Sequence, residues 1–261
     1  MRYLQEMSTH WRATCSYPLK GIDFRDYLRG NFQDFNIFEF VGTGVCKKVE
    51  YSCVEYLRNG FNESGIYELV DYHKKTYPAY CDMKSELDTA WTLVMSWCTT
   101  NRKLPAFMKY PFNYNSPQNE DALNWDLYRL SLARMRYLQE MSTHWRATCS
   151  YPLKGIDFRD YLRGNFQDFN IFEFVGTGVC KKVEYVNIRG HVGTDVTARF
   201  FQKLNEYTLH IDTPGNCQFD SKDGAVSSED NFGWYGNGLS TKFRCTATDE
   251  STTQYWFGAK R

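Results

Sequence analysis

Between Ser52 and Met95 the chain alternates apolar and polar residues in short runs. Residues 52–56, 64–69, 77–83 and 91–95 follow one another, with Gly65 and Pro78 as punctuation. Alternation with a period of two, broken by Gly and Pro, predicts a small antiparallel unit joined by turns. Residues 99–123 are largely polar, carry Pro105, Pro111 and Pro117, and read as loops. Residues 124–141 read as a strand followed by a short helix, and 144–151 and 183–189 alternate like strands. Residues 197–205 read as a short helix and 207–211 as a further strand. From Thr213 to Arg261 the chain is rich in Gly, Ser, Asp and Asn, as loops are. The pattern predicts an α+β fold, a central twisted mixed sheet with a few short helices packed on it.

The same pattern contains a repeat without drift. Residues 1–51 recur, unchanged, as residues 135–185. A structural repeat keeps its apolar and turn positions while its surface varies, so perfect identity points to recent duplication or to an exon counted twice. We expect the second. On that reading the natural domain spans 52–261, residues 1–51 are a poorly packed fragment of its middle, and an original N-terminus with its signal peptide is missing.

Composition narrows the functional classes. Lys plus Arg and Asp plus Glu are equal at 31 each, so no net field draws the chain to nucleic acid or an anionic membrane. Aromatic residues make up 17% of the chain, which argues for a packed, strand-rich domain and against disorder. No apolar run approaches the roughly 20 residues of a membrane-spanning helix. The cysteines are scattered, with no C-x-x-C and no zinc-like spacing. Such cysteines in a Tyr- and Trp-rich domain read as disulfides in an oxidising, extracellular compartment. The sequon at Asn62 is compatible with a secreted glycoprotein.

A Ser-Cys at 52–53, Ser-Gly-Ile-Tyr at 64–67, Tyr-Cys-Asp-Met at 80–83 and Trp-Thr at 91–92 stand in the order of the landmarks that open fibrinogen C-terminal-like domains. The chain resembles a divergent member of that family, similar to fibrinogen-like proteins of marine invertebrates, some of them from coral skeletal matrix. It departs from the family pattern where Leu87-Asp88-Thr89-Ala90 replaces the glycines usually found before the tryptophan. The resemblance implies a disulfide between Cys53 and Cys81, and a loop-built C-terminal subdomain that binds calcium and carries the ligand pocket. Asp220 and Asp223, with Glu229 and Asp230 nearby, are the candidate calcium ligands, although the family's Asp-x-Asp is not reproduced. Phe232-Gly233-Trp234-Tyr235 is faintly similar to the family's Gly-Trp-Trp. If Cys149 pairs with Cys180 and Cys217 with Cys245, Cys98 is left over.

His73, His144, His191 and His210 have no nucleophile motif beside them, so no catalysis and no resident cofactor are expected. The candidate ligand site is aromatic: Trp234, Tyr235, Tyr255 and Trp256, with Asn237 as an amide donor. Rings on loops stack on sugar faces while amides fix orientation. The expected function is an extracellular, non-catalytic recognition module for a carbohydrate or matrix ligand, open to homo-oligomers. The alternative is a structural matrix or adhesion protein without a discrete pocket. The duplication carries its own expectation. Copy two is tethered to the domain at both ends and copy one at a single end, so copy two meets its partners at higher effective concentration. A chain beginning at Ser52 should be at least as stable as the full chain and express better. Amide exchange that protects 1–51 as fully as 135–185 counts against this.

Overall fold

The computed structural model describes residues 38–41, 45–213, 215–236 and 238–261, with side chains from Val49 onward. The chain divides into two compact units, 1–50 and 51–261. In the first, β1 (Phe38–Val41) and β2 (Val45–Lys48) pair antiparallel, with Phe38 opposite Lys48 and Val41 opposite Val45. The poor packing expected of residues 1–51 rests on side chains before Val49, which lie outside the described residues.

The second unit opens on a helix rather than a strand. Ser52 caps α1 (Cys53–Arg58), its Oγ accepting from the Glu55 amide at 3.3 Å, while Glu55 Oε2 reaches back to the Tyr51 amide at 2.9 Å. This is a Ser-x-x-Glu start in which the carboxylate takes the amide just before the cap, and it outweighs the short apolar alternation at 52–56. Strands β3 (Gly65–Val70), β4 (Thr76–Asp82) and β5 (Thr89–Cys98) follow. The loop region 99–123 holds one short helix, α2 (Pro105–Met108), and a turn of 3₁₀ helix at Thr99–Asn101. Then come β6 (Leu127–Arg129), α3 (Leu132–Glu140), β7 (His144–Cys149) and α4 (Tyr151–Lys154). The last five strands are β8 (Tyr161–Asn165), β9 (Gly176–Ile188), β10 (His191–Lys203), β11 (Tyr207–Ile211) and β12 (Thr252–Lys260). The short helix expected at 197–205 is instead the second half of β10, because β9 and β11 bind it on both edges.

Ten strands form one sheet in the order β11-β10-β9-β8-β7-β12-β5-β4-β3, with β6 on the edge of β5. Every strand pairing in it is antiparallel, which corrects the expected mixed sheet. With its few short helices the unit is α+β and mostly sheet. No helix among the described residues is long and apolar enough to cross a membrane. The last strand lies in the middle: β12 enters between β5 and β7, with Tyr255 opposite Met95 on one side and Ala147 on the other. Both faces of β12 and β5 are covered, so they read as apolar runs, not alternations. Gly258 belongs there because a Cβ would stand 2.4 Å from the Ala90 carbonyl oxygen and 2.6 Å from the Trp91 ring.

A buried ionic network crosses the same region. Arg146 lies between the rings of Trp91 and Trp256, 4.5 and 4.9 Å from their centroids, and is fully buried. Its guanidinium donates to Asp82 and, at 3.0 Å, to Glu86. Glu86 also accepts from the Tyr161 hydroxyl and from Arg163. Burial alone would raise the Asp82 carboxyl, but Arg146 overrides it and holds Asp82 below the usual carboxylate range. Removing one partner would leave a buried charge uncompensated.

Among the described residues three disulfides join Cys53 to Cys81, Cys149 to Cys245 and Cys180 to Cys217, and Cys98 is free and buried. The first is the pair implied by the family resemblance. The other two replace the expected Cys149–Cys180 and Cys217–Cys245, and strand register explains why. Tyr161 stands opposite both Thr148 and Asn187, so Cys149 is level with Ile188, while Cys180 lies far down β9. At about 3.3 Å per residue that offset is roughly 25 Å, far beyond the reach of a disulfide. The closed spans are 28, 37 and 96 residues. Replacing Cys149 and Cys245 by Ser should therefore cost most, about 4–5 kcal/mol, against about 3.5–4 for each of the others. Denaturant titrations of the three double variants check this ranking, and non-reducing peptide maps check the pairing.

Candidate functional site

β9 and β10 meet in a two-residue turn, Arg189-Gly190, with φ of 55° and 94°. Positive φ at both central positions is the hairpin turn that matches strand twist, and Asn, Asp or Gly is its usual first residue. Arg189 occupies a left-handed backbone that costs a side-chain-bearing residue about 1–2 kcal/mol. Two contacts hold it there. The Asn187 side-chain oxygen accepts from the Gly190 amide at 3.0 Å, and the Asp160 carboxylate accepts from the Arg189 amide at 2.5 Å. Asp160 is fully buried, and its other oxygen takes the Arg244 amide at 3.0 Å. Burial pushes its carboxyl above the usual range, and the two amides work against that rise. One carboxylate thus fixes the backbone of two arginines.

The Arg189 side chain is only 4% exposed. Nη2 donates to the Ser221 carbonyl, and Nε lies 3.2 Å from Glu229 Oε1. Nη1 has no hydrogen-bond acceptor among the described residues. A buried N–H left unmet costs about 1–3 kcal/mol, so this group favours any oxygen that can reach it. Arg189 forms part of the wall of a cavity of about 470 Å³, with Lys154, Arg159, Lys242 and Arg244 as the other cations. Arg244 is clamped by both oxygens of Asp157 at 2.6 and 2.7 Å, and Arg159 lies 3.9 Å from Asp160. Lys154 and Lys242 are exposed and have no ion pair among the described residues. His191, Asp223, Gly224 and Thr241 complete the wall, the His191 Nε2–H donating to the Asp223 carbonyl at 2.9 Å. The sequence signal for this locus is a polar-Gly turn between two alternating runs; the cations themselves come from three separated segments, 154–159, 189 and 242–244.

The aromatic residues expected to bind ligand are placed differently. Tyr255 and Trp256 lie on β12, and they and Tyr235 are buried, 0–1% exposed. Their polar atoms are engaged inside: Tyr235 Oη with Thr253, Tyr255 Oη with the Phe232 carbonyl, Trp256 Nε1 with Thr148. All three are core residues: Tyr255 and Trp256 because their strand is central in the sheet, Tyr235 as a loop residue buried against it. Trp234 is half-buried and packs on His210 and Tyr207, and Asn237 lies outside the described residues. Asp220 folds back on the Lys222 amide at 2.8 Å, and Asp223 belongs to the cationic cavity. Among the described residues no three His, Cys, Asp or Glu are gathered to hold a metal ion.

Beside Trp234, His210 and Asp230 form a buried pair, Nε2 to Oδ1 at 3.4 Å. The Thr208 carbonyl can only accept, so it fixes the ring proton on Nδ1 and leaves Nε2 as a lone pair facing the carboxyl. Burial pushes the His210 imidazole down to about 4 and, with the carboxylates of Asp212 and Glu229, pushes Asp230 up to about 8. The pair therefore holds a carboxylic acid against a neutral ring at neutral pH. When unfolded, His210 loses its proton near pH 6.5 and Asp230 near pH 3.8. Between those values folded and unfolded chains bind the same number of protons, and this pair contributes no slope. Above about 6.5 the folded chain holds one proton more, so stability falls as pH rises toward 8, by about 2 kcal/mol. Asp230→Asn should abolish that decline, and denaturation curves at pH 6.5 and 8.5 read it directly.

No protein-family model matches this chain and no curated protein matches it, so its functional reading rests on the cavity and its chemistry.

Proposed function

We propose that this chain is an extracellular, non-catalytic recognition module of the fibrinogen C-terminal-like kind, and that it holds a carbohydrate or matrix ligand. The single observation that carries the reading is the cavity at the β9–β10 turn. It has the size of a small-ligand site, and its donors are set by strained backbone and a buried carboxylate before any ligand arrives. Preset donors reduce the ordering cost of binding. The three disulfides support an oxidising, extracellular setting, where such bonds persist. The Cys53–Cys81 bridge is the one the family resemblance implies. The lining offers charged donors that position and retain a ligand, and binding through it needs no resident calcium.

A glycan array of neutral and acidic sugars, probed with the full chain in calcium and again in chelator, tests this. The expected result is retention on a restricted set of glycans, equal in both buffers. A blank array, together with self-association or adsorption to an extracellular matrix, favours a structural adhesion protein instead.

A further inference from the structure

We infer that the cationic cavity seats a sulfate ester carried by an acidic polysaccharide; this rests on the recognition reading above and names its ligand class. Arg189 is the anchor. Its guanidinium is almost wholly buried: Nη2 donates to the Ser221 carbonyl, Nε is ion-paired with Glu229 without a hydrogen bond, and Nη1 faces no acceptor among the described residues. Its position is set by its own backbone, which Asp160 and Asn187 hold in the left-handed region. Fixed donors in a partly dry wall bind an oxyanion more strongly than mobile surface cations do.

Lys154 and Lys242 supply the charge at the mouth. Both are exposed and unpaired among the described residues, whereas Arg244 and Arg159 face Asp157 and Asp160. A sulfate ester presents three free oxygens to one guanidinium and two ammonium groups, and it stays ionised at every physiological pH. A carboxylate presents two. The cavity, about 470 Å³, is larger than a lone oxyanion and fits a sugar residue bearing one. The whole chain has no net charge, so the attraction is local to this wall and falls with added salt.

Dextran sulfate and unmodified dextran share one backbone and differ in the sulfate alone. The full chain should bind immobilised dextran sulfate and pass over dextran, with polygalacturonate and polyphosphate as the carboxylate and phosphate arms. Lys154→Ala/Lys242→Ala removes only exposed charge and should weaken binding by about tenfold or more. Lys103→Ala/Lys109→Ala removes equal charge outside the cavity and should leave binding unchanged. Arg189→Lys keeps the charge that faces Glu229 but loses the planar fork, and should weaken binding further still. Equal loss in the two lysine pairs means general polyelectrolyte adsorption and overturns the inference. Equal binding of dextran and dextran sulfate overturns it too, as does tighter binding of either other polyanion. Retention of neutral glycans on the array without response to dextran sulfate sinks this inference and leaves the recognition reading standing. Site-dependent binding of dextran sulfate with every natural glycan blank upholds the sulfate seat and sinks the recognition reading.

Discussion

The insertion of β12 between β5 and β7 is the contact on which the larger unit depends. Without it the sheet has two halves, β3 to β6 on one side and β7 to β11 on the other, with no strand to join them. The residues that complete the sheet are among the last in the chain, so its central pairings close long loops whose entropy must be overcome before they contribute. Several features offset that cost at one place. Trp256 stands in register with Arg146, whose guanidinium it covers, and Arg146 in turn holds Asp82 at the end of β4. Cys149 at the end of β7 is bonded to Cys245, just ahead of β12.

The cavity follows from this arrangement at one remove. Once β7 and β8 are placed, β8 sets the level of β9, and the β9–β10 turn comes to lie above the segment that carries Asp160. The same carboxylate takes the amide of Arg244, next to the Cys149–Cys245 bridge. A buried carboxylate thus ties the hairpin tip to the segment leading into the central strand. The cations around it are largely matched by acids in the fold, which agrees with a chain of no net charge. Lys154 and Lys242 at the cavity rim are the exceptions among the described residues; Arg189 faces Glu229 in the interior, but its Nη1 has no acceptor there.

The aromatic residues show how far placement depends on the sheet. Tyr255 and Trp256 belong to the stretch 213–261, whose Gly, Ser, Asp and Asn content is that of a loop region. In the fold they are central, because a strand with partners on both edges and cover on both faces buries every side chain but that of Lys260 at its end. Cys180 has the same lesson in another form: its partner is chosen by strand register, a quantity that spacing along the chain does not contain.

Much of the α+β fold was legible in the chain itself. Alternating runs marked β3, β4, β7 and β11, and residues 124–141 resolve into the expected strand and helix, β6 and α3. Ser52-x-x-Glu55 also held the signal for α1, since helix capping is a local interaction. The exact repeat shows where local information stops. Val-Cys-Lys-Lys at Val45–Lys48 pairs with Phe38–Val41 just before it. The same four residues at 179–182 pair with residues 197–200 of β10, and the Phe-Glu-Phe-Val before them lies outside any strand, with Phe172 and Phe174 buried in the core. Identical sequence has two hydrogen-bonding outcomes here because a strand's donors and acceptors are satisfied by another segment. The sequence by itself determined which stretches favour extended backbone, where one helix starts and which cysteines are present. Tertiary structure alone decided which segment each strand meets, and with it the disulfides, the buried aromatics and the cavity around Arg189.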